Sequence, residues 1–382
     1  MSVSPLHVYL FLPSIETGGV ERNAILVANY LTGRDIRVTV VYTRAIENIK
    51  KRFDPDVTFK QLGGAYRVPG IHPRISDAIV IFFGFISVLR QQPKEEKSVI
   101  LSFQSNIVSI IASKFSSVPV IARVSNHPSH VKYESGKIQK LAERLKRIVY
   151  RYADAVITNS EVTSECFRQL LPVYVETIYN PINVPLVKEQ SVIEVHHPWL
   201  VDKNSLIVVA VGRLATQKNF PLLIKAFSHV ISDVDARLII LGEGSERGKL
   251  EELIARLKLS ERVALLGYEK NVHRYVARSD LFVLSSNFEG LPNALIEAIA
   301  TGVPVVSTDC LSGPAEILDG GKGGALVPVD DDVALADAII DSLMNKGDTL
   351  KKQEHAKAKL SEFEHSKIMK RYEAILRKIS NG

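Results

Sequence analysis

The sequence predicts an α/β protein built from two doubly wound domains, each a parallel sheet covered by helices. Three observations lead there. Short β-branched runs alternate with amphipathic helical stretches along the whole chain, the pattern of strand–helix–strand units. The 382 residues exceed what one core carries, because single cores stop growing near about 250–300 residues. The two halves also echo each other, with Ala153-Asp154-Ala155-Val156-Ile157-Thr158-Asn159-Ser160 matched by Ser279-Asp280-Leu281-Phe282-Val283-Leu284-Ser285-Ser286.

In chain order, the first half places strands at 7–12, 36–43, 99–103, 120–124, 155–158 and 175–179. The second places them at 206–212, 237–241, 263–267, 281–285 and 303–307. Helical patterns fall at 19–31, 137–152, 220–231 and 292–301, where apolar residues recur at spacings of three and four. Each half opens with a strand and a polar loop entering a helix, at 17–21 and at 213–219. Asn180-Pro181-Ile182-Asn183-Val184-Pro185, with two prolines and a polar stretch running to Asn204, reads as the interdomain connection. The expected domains are therefore 1–182 and 183–363. A last helix, within 364–382, has no strand after it and is free to pack back on the first domain. Two such sheets facing one another leave a cleft at their strand C-terminal ends, where doubly wound sheets bind ligands.

Composition narrows the classes. With 46% hydrophobic and 24% charged residues the chain is neither disordered nor collagen-like. Cys166 and Cys310 stand alone with no CxxC, which argues against a disulfide framework or zinc cluster and for a reduced compartment. The start, MSVSPLHVYLFLPS, lacks a charged region followed by a long apolar one, so no signal peptide is expected. Charge is divided unevenly: 23 Lys and Arg face 15 Asp and Glu in residues 1–182, against 25 and 27 in 183–382. A basic first half points to an anionic partner. Nucleic acid is not expected, since no zinc finger, RRM signature or aromatic-interleaved basic patch is present. A membrane surface or phosphorylated acceptor fits as well or better.

The densest constellation is Glu289-Gly290-Leu291-Pro292-Asn293-Ala294-Leu295-Ile296-Glu297. A strand leads into a loop, then into a helix with Pro292 suited to its first turn. The helix start favours an anion through its backbone N–H groups and dipole. Two carboxylates beside that anion site are placed to accept hydrogen bonds from the hydroxyls of a polyol on either side of a diphosphate.

This segment resembles the E-x7-E motif of retaining glycosyltransferases of the GT-B fold, particularly family four (glycosyltransferases group 1). Three further stretches agree in order. Gly18-Gly19-Val20-Glu21-Arg22 resembles the first-domain glycine loop. Val211-Gly212-Arg213-Leu214-Ala215-Thr216-Gln217-Lys218-Asn219 resembles the G-R-L-x-x-x-K-N phosphate loop. Thr308-Asp309-Cys310-Leu311-Ser312-Gly313-Pro314-Ala315-Glu316-Ile317 resembles the segment after the next strand. The likeness spans nearly the whole chain and is strongest over 212–317.

The resemblance implies two Rossmann-like domains across a cleft and a set of roles. Arg213 and Lys218 would clamp the donor diphosphate, Arg as a rigid fork and Lys as a mobile point charge. They would stabilise the charge developing on the departing nucleoside diphosphate. Glu297 would accept from the ribose hydroxyls and Glu289 would face the transferred sugar. The backbone of Gly290, Leu291, Pro292 and Asn293 would line the sugar and phosphate, and Gly18 and Gly19 would allow close backbone approach. Relatives commonly carry a histidine after the fourth strand of the first domain. Here Ser125 stands at that count, His127 two residues later is the candidate, and His130 is a weaker one.

Asp330-Asp331-Asp332 looks like a metal-binding DxD but precedes a helical run, and reads as a cap and first turn. Neither a metal nor a cofactor is expected, the nucleoside diphosphate sugar serving as donor substrate. Lys137, Lys140, Arg144, Arg147 and Arg151 form a basic stripe one residue out of step with Ile138, Leu141, Leu145, Ile148 and Tyr152. Such a helix can lie at an anionic membrane surface or pack on a core. Residues 78–89, apolar but for Ser87, are too short to span a bilayer, which needs about 20.

The implied activity is transfer of a hexose or N-acetylhexosamine from a nucleoside diphosphate, UDP by analogy, to a lipid-linked or polysaccharide acceptor. The implied location is the cytoplasm, at the inner face of a bacterial plasma membrane. A sugar-nucleotide epimerase, a phosphorylase and a non-catalytic sugar-nucleotide-binding module share the architecture and stay open at this point.

Overall fold

A computed structural model describes residues 6–16, 18–63, 73–93, 96–128, 137–201 and 204–381. The chain divides into two compact units, Met1–Pro181 with Ser366–Gly382, and Ile182–His365.

The first unit contains β1 (Leu6–Phe11), β2 (Ser14–Ile15), β3 (Arg37–Tyr42), β4 (Arg44–Ala45), β5 (Thr58–Gln61), β6 (Lys97–Ser102), β7 (Val120–Val124), β8 (Ala155–Thr158) and β9 (Tyr174–Thr177). Seven of them form one parallel sheet in the order β5-β3-β1-β6-β7-β8-β9, while β2 and β4 pair separately. Both faces are covered, as a parallel sheet requires. On one side Val8 and Leu10 of β1 pack with Ala24, Val27 and Leu31 of the helix Gly19–Thr32. The helix His365–Ser380 joins the same core through Ile368, Met369, Tyr372, Ile375 and Leu376. On the other side Tyr9 and Phe11 meet Phe85 and Leu89 of the helix Pro73–Arg90 and Ile110 of the helix Asn106–Ser116.

The second unit holds β10 (Leu206–Val211), β11 (Ala236–Leu241), β12 (Val263–Gly267), β13 (Leu281–Leu284), β14 (Val305–Thr308) and β15 (Ala325–Val327). They run parallel in the order β12-β11-β10-β13-β14-β15. Counted within each sheet, the second follows the doubly wound order 3-2-1-4-5-6 and the first the same order with a seventh strand added at its far edge, each with a reversal point beside the first strand.

Three expectations shift. The stretch 183–204 is no bare linker: it forms the helices Val184–Ser191 and Pro198–Val201 within the second unit. Asn183 caps the former, its side chain accepting from Leu186 N–H at 3.1 Å, with Pro185 in the first turn. Pro292 is the N-cap residue, not part of the helix, which runs Asn293–Thr301. The basic helix ends at Tyr150, leaving Arg151 and Tyr152 in a turn. Asp331 caps the helix Asp332–Met344 by accepting from Ala334 N–H at 2.9 Å, as a capping aspartate should.

His7, buried in β1, sets Nε2 2.8 Å from Thr39 Oγ1. Burial, aided by the Arg37 charge, pulls its pKa down to about 4. The unfolded chain takes up this proton near the ordinary 6.5, so between 6.5 and 4 the unfolded state binds more protons and stability is lost as the pH is lowered. The His7 contribution is complete above about pH 6.5 and declines by about 2–3 kcal/mol on acidification to pH 4.5. Urea unfolding at pH 7.5 and 4.5 should show that extra loss in the wild type and not in His7→Gln.

Candidate functional site

In the second unit the candidate residues sit on three loops at strand C-terminal ends, and hydrogen bonds lock the loops together. The loop after β10 is anchored by Gly212 N–H to Leu241 O at 3.0 Å and Leu214 N–H to Glu243 O at 2.9 Å. It then makes the 3-10 turn Thr216–Lys218. Asn219, left-handed at φ 45°, donates Nδ2 to Asn287 Oδ1 at 2.7 Å and to Asp330 Oδ1 at 2.9 Å. The loop after β13 answers with Asn287 Nδ2 to Thr216 O at 2.9 Å and Ser285 Oγ to Lys218 O at 2.9 Å.

This double anchoring delivers Lys218 to Glu289. The ammonium lies 2.6 Å from Glu289 Oε1, and both side chains are largely shielded from water. Glu289 also receives Ser286 Oγ at 2.7 Å and, on Oε2, Gln217 Nε2 at 3.4 Å. Gly212 makes room for the lysine, since a Cβ there would stand 2.9–3.1 Å from the Cε, Cδ and Cγ atoms of Lys218. Arg213 is exposed on the same loop.

The segment after β14 braces the other loop. Ser312 Oγ donates to Gly290 O at 2.8 Å and Thr308 Oγ1 to Ser286 O at 2.7 Å. Gly313 takes φ 93°, and a Cβ there would lie 2.8 Å from Gly290 O, so glycine alone suits the position. Burial pushes the nearby Cys310 thiol up to about 12, with the Glu289 charge adding to the effect. Leu291 is buried, Pro292 caps, and Asn293 opens the helix whose dipole points its positive end at this loop.

Glu297, in the second turn of that helix, meets a partner that sequence reasoning missed. His273 Nε2 lies 3.2 Å from Glu297 Oε2, and His273 Nδ1 lies 2.7 Å from Gln190 Oε1. Gln190 belongs to the stretch expected to be a linker. Nothing in the spacing of residues 190, 273 and 297 signals the contact.

The first unit holds the remaining candidates. Gly18 is the N-cap of the helix Gly19–Thr32, and a Cβ on it would stand 2.3 Å from Glu21 Oε2. Buried Glu21 in turn accepts from Gln104 Nε2 at 3.0 Å. Ser125 and His127 follow β7. The Ser125 hydroxyl accepts from Arg123 Nη1 at 2.6 Å, and His127 is buried. His130 lies outside the described residues, as do Thr17 and the side chains of Lys137, Ile138, Lys140 and Leu141.

Two parallel α/β units, each with its first six strands in 3-2-1-4-5-6 order, define the GT-B class. The crystal structure of Anabaena Alr3699/HepE in complex with UDP and glucose shares this fold, at a TM-score of 0.79 and 20% identity over 97% of this chain and 99% of that one. Residues 17–185 match the family model "Glycosyltransferase Family 4" and residues 192–360 match "Glycosyl transferases group 1". The chain is 36% identical over 208 residues to an uncharacterized glycosyltransferase of Methanocaldococcus jannaschii, covering 51% of this chain and 49% of that protein. It is 32% identical over 259 residues, 66% of this chain and 68% of the relative, to a Campylobacter jejuni N-acetylgalactosamine-N,N'-diacetylbacillosaminyl-diphospho-undecaprenol 4-alpha-N-acetylgalactosaminyltransferase. The chain belongs to glycosyltransferase family 4, group 1.

The Lys218–Glu289 pair should behave as a shielded ion pair. Lys218→Met strands the carboxylate and is expected to cost about 3–5 kcal/mol. The double variant Lys218→Met/Glu289→Gln should lose less than the sum of the singles, as measured by urea unfolding in a double-mutant cycle.

Proposed function

We propose that the chain is a retaining glycosyltransferase that moves a hexose or N-acetylhexosamine from a UDP-sugar to a hydroxyl of a lipid-linked or polysaccharide acceptor without a metal ion. The observation that carries this reading is the Lys218–Glu289 pair beside the helix start at Asn293, with Arg213 on the same loop. Before the donor arrives, Glu289 holds the ammonium in place. A diphosphate entering beside the helix start gives Lys218 and Arg213 a stronger anion to serve. As the sugar–oxygen bond breaks, negative charge grows on the departing diphosphate, and these two cations with the helix dipole offset it. Glu289 keeps an oxygen for the sugar hydroxyls, with Ser286 and Gln217 holding its orientation.

Glu297, steadied by His273, accepts from the ribose hydroxyls. Gly290, Leu291, Pro292 and Asn293 supply backbone to the sugar and phosphates. No side chain is assigned as a covalent nucleophile.

The UDP assignment draws support from the Anabaena complex with UDP and glucose. The acceptor class draws support from the diphospho-undecaprenol substrate in the Campylobacter relative's name. Surface chemistry supports peripheral attachment to a membrane. Leu145, Ile148 and Tyr152 are 53%, 55% and 59% exposed, beside exposed Arg144, Arg147 and Arg151. Neighbouring helices expose Phe83 and Phe115 as well. Among the described residues no helix is long and apolar enough to cross a bilayer.

Donor-dependent release of nucleoside diphosphate tests the activity. Arg213→Ala should slow it by about 10²–10³, the scale of losing one electrostatic stabiliser. Near-normal turnover in the folded variant removes Arg213 from the mechanism. Sedimentation with vesicles tests the attachment: binding to anionic vesicles should exceed binding to neutral ones and weaken with salt. Equal sedimentation with both defeats it.

A further inference from the structure

Arg123 on β7 is a buried cation with no counter-charge among the described residues. Its side chain is 2% exposed. Nε donates to Tyr372 Oη at 2.9 Å, Nη1 to Ser125 Oγ at 2.6 Å and Nη2 to Asn180 Oδ1 at 2.7 Å, and the Phe103 ring centroid lies 5.1 Å away. Every one of these partners is neutral, and among the described residues no carboxylate pairs with it. A guanidinium stays charged at any ordinary pH and has five N–H donors, of which these bonds use three. Burying such an ion among neutral partners is costly, and an anion at the two remaining donors would offset that cost.

A cavity of about 260 Å³ lies against it, inside the first unit. Arg123 lines the cavity together with Lys146 and Arg147, and Phe103, Tyr150 and Phe167 supply aromatic wall. Three cations and an aromatic lining suit a ligand that is anionic at one end and apolar at the other. The helix that contributes Lys146, Arg147 and Tyr150 is the one that exposes Leu145 and Ile148. The neutral partners of Arg123 fix the direction of its fork, the preorganisation that bidentate phosphate recognition needs.

We propose that this cavity binds a phosphate or diphosphate group carried on an apolar chain, such as a prenyl diphosphate. The anion follows from Arg123 and its neighbours; the apolar carrier rests on the lipid-linked acceptor reading above.

Titration calorimetry on the full chain with UDP at saturation, which occupies the donor loops, tests the site with farnesyl diphosphate, inorganic pyrophosphate and farnesol. Farnesyl diphosphate should bind at least about tenfold more tightly than either fragment. Arg147→Glu should weaken it at least about tenfold, while Arg213→Ala leaves it within about twofold. Because Arg123→Gln also releases Tyr372 and endangers the fold, surface-exposed Arg147 carries the test. Indifference to Arg147→Glu, or loss in Arg213→Ala, would overturn the site. Equal affinity for pyrophosphate and farnesyl diphosphate would overturn the apolar carrier.

A transfer assay separates this proposal from the function it rests on. An unchanged acceptor KM in Arg147→Glu, with wild-type transfer intact, defeats the pocket and spares the activity. Farnesyl diphosphate binding that responds to Arg147→Glu, with no donor consumed on any lipid acceptor, upholds the pocket and defeats the acceptor reading.

Discussion

The second unit is organised around one shielded ion pair. Lys218 and Glu289 lie 71 positions apart, and they meet because Asn219, Asn287 and Ser285 tie the loop after β10 to the loop after β13. Neither charge would stay poorly solvated alone. Each therefore holds the other at the mouth of the helix Asn293–Thr301, and Ser286 and Gln217 add two further donors to the carboxylate. Gly212 and Gly313 then read as space requirements of this arrangement: one leaves room for the lysine stem, the other for the Gly290 carbonyl.

Much of the scaffold was legible because its strands are buried on both faces. Residues 120–124, 155–158 and 263–267 are β7, β8 and β12 with their expected bounds, since apolar β-branched runs admit few other interpretations. β5, with its mostly exposed Thr58–Gln61, carries no such run, and β15 at the opposite kind of edge has only three residues. The first escaped notice for want of a hydrophobic signature, the second because its apolar run is too short to stand out. The helix Val184–Ser191 was hidden differently: Asn183 and Pro185 are genuine helix-start residues, but beside Pro181 they look like turn punctuation.

The candidate site was legible in its loops and not in its pairings. Arg213, Lys218, Glu289 and Glu297 stand in recognisable local motifs, yet which side chain touches which depends on hydrogen bonds between distant segments, 24 residues apart for His273 and Glu297 and 71 for Lys218 and Glu289. The Gln190–His273–Glu297 chain shows the limit most clearly, because it joins a supposed linker, a one-turn helix and a motif carboxylate. Arg123 belongs with it. A lone arginine inside Val120–Val124 looks like an interruption of a core strand, and nothing in the sequence names Tyr372, Ser125 and Asn180 as its partners.

The helix His365–Ser380 has a consequence for how the molecule comes into being. It belongs to the first unit, but the ribosome makes it only after all of the second. Until then the sheet face over Val8 and Leu10 lacks Ile368, Met369, Tyr372, Ile375 and Leu376, and Arg123 lacks the phenol that steers it. The unit whose strands come earlier in the chain is thus the later of the two to close its interior, and the nascent chain carries an unsealed apolar face until the second unit has been made.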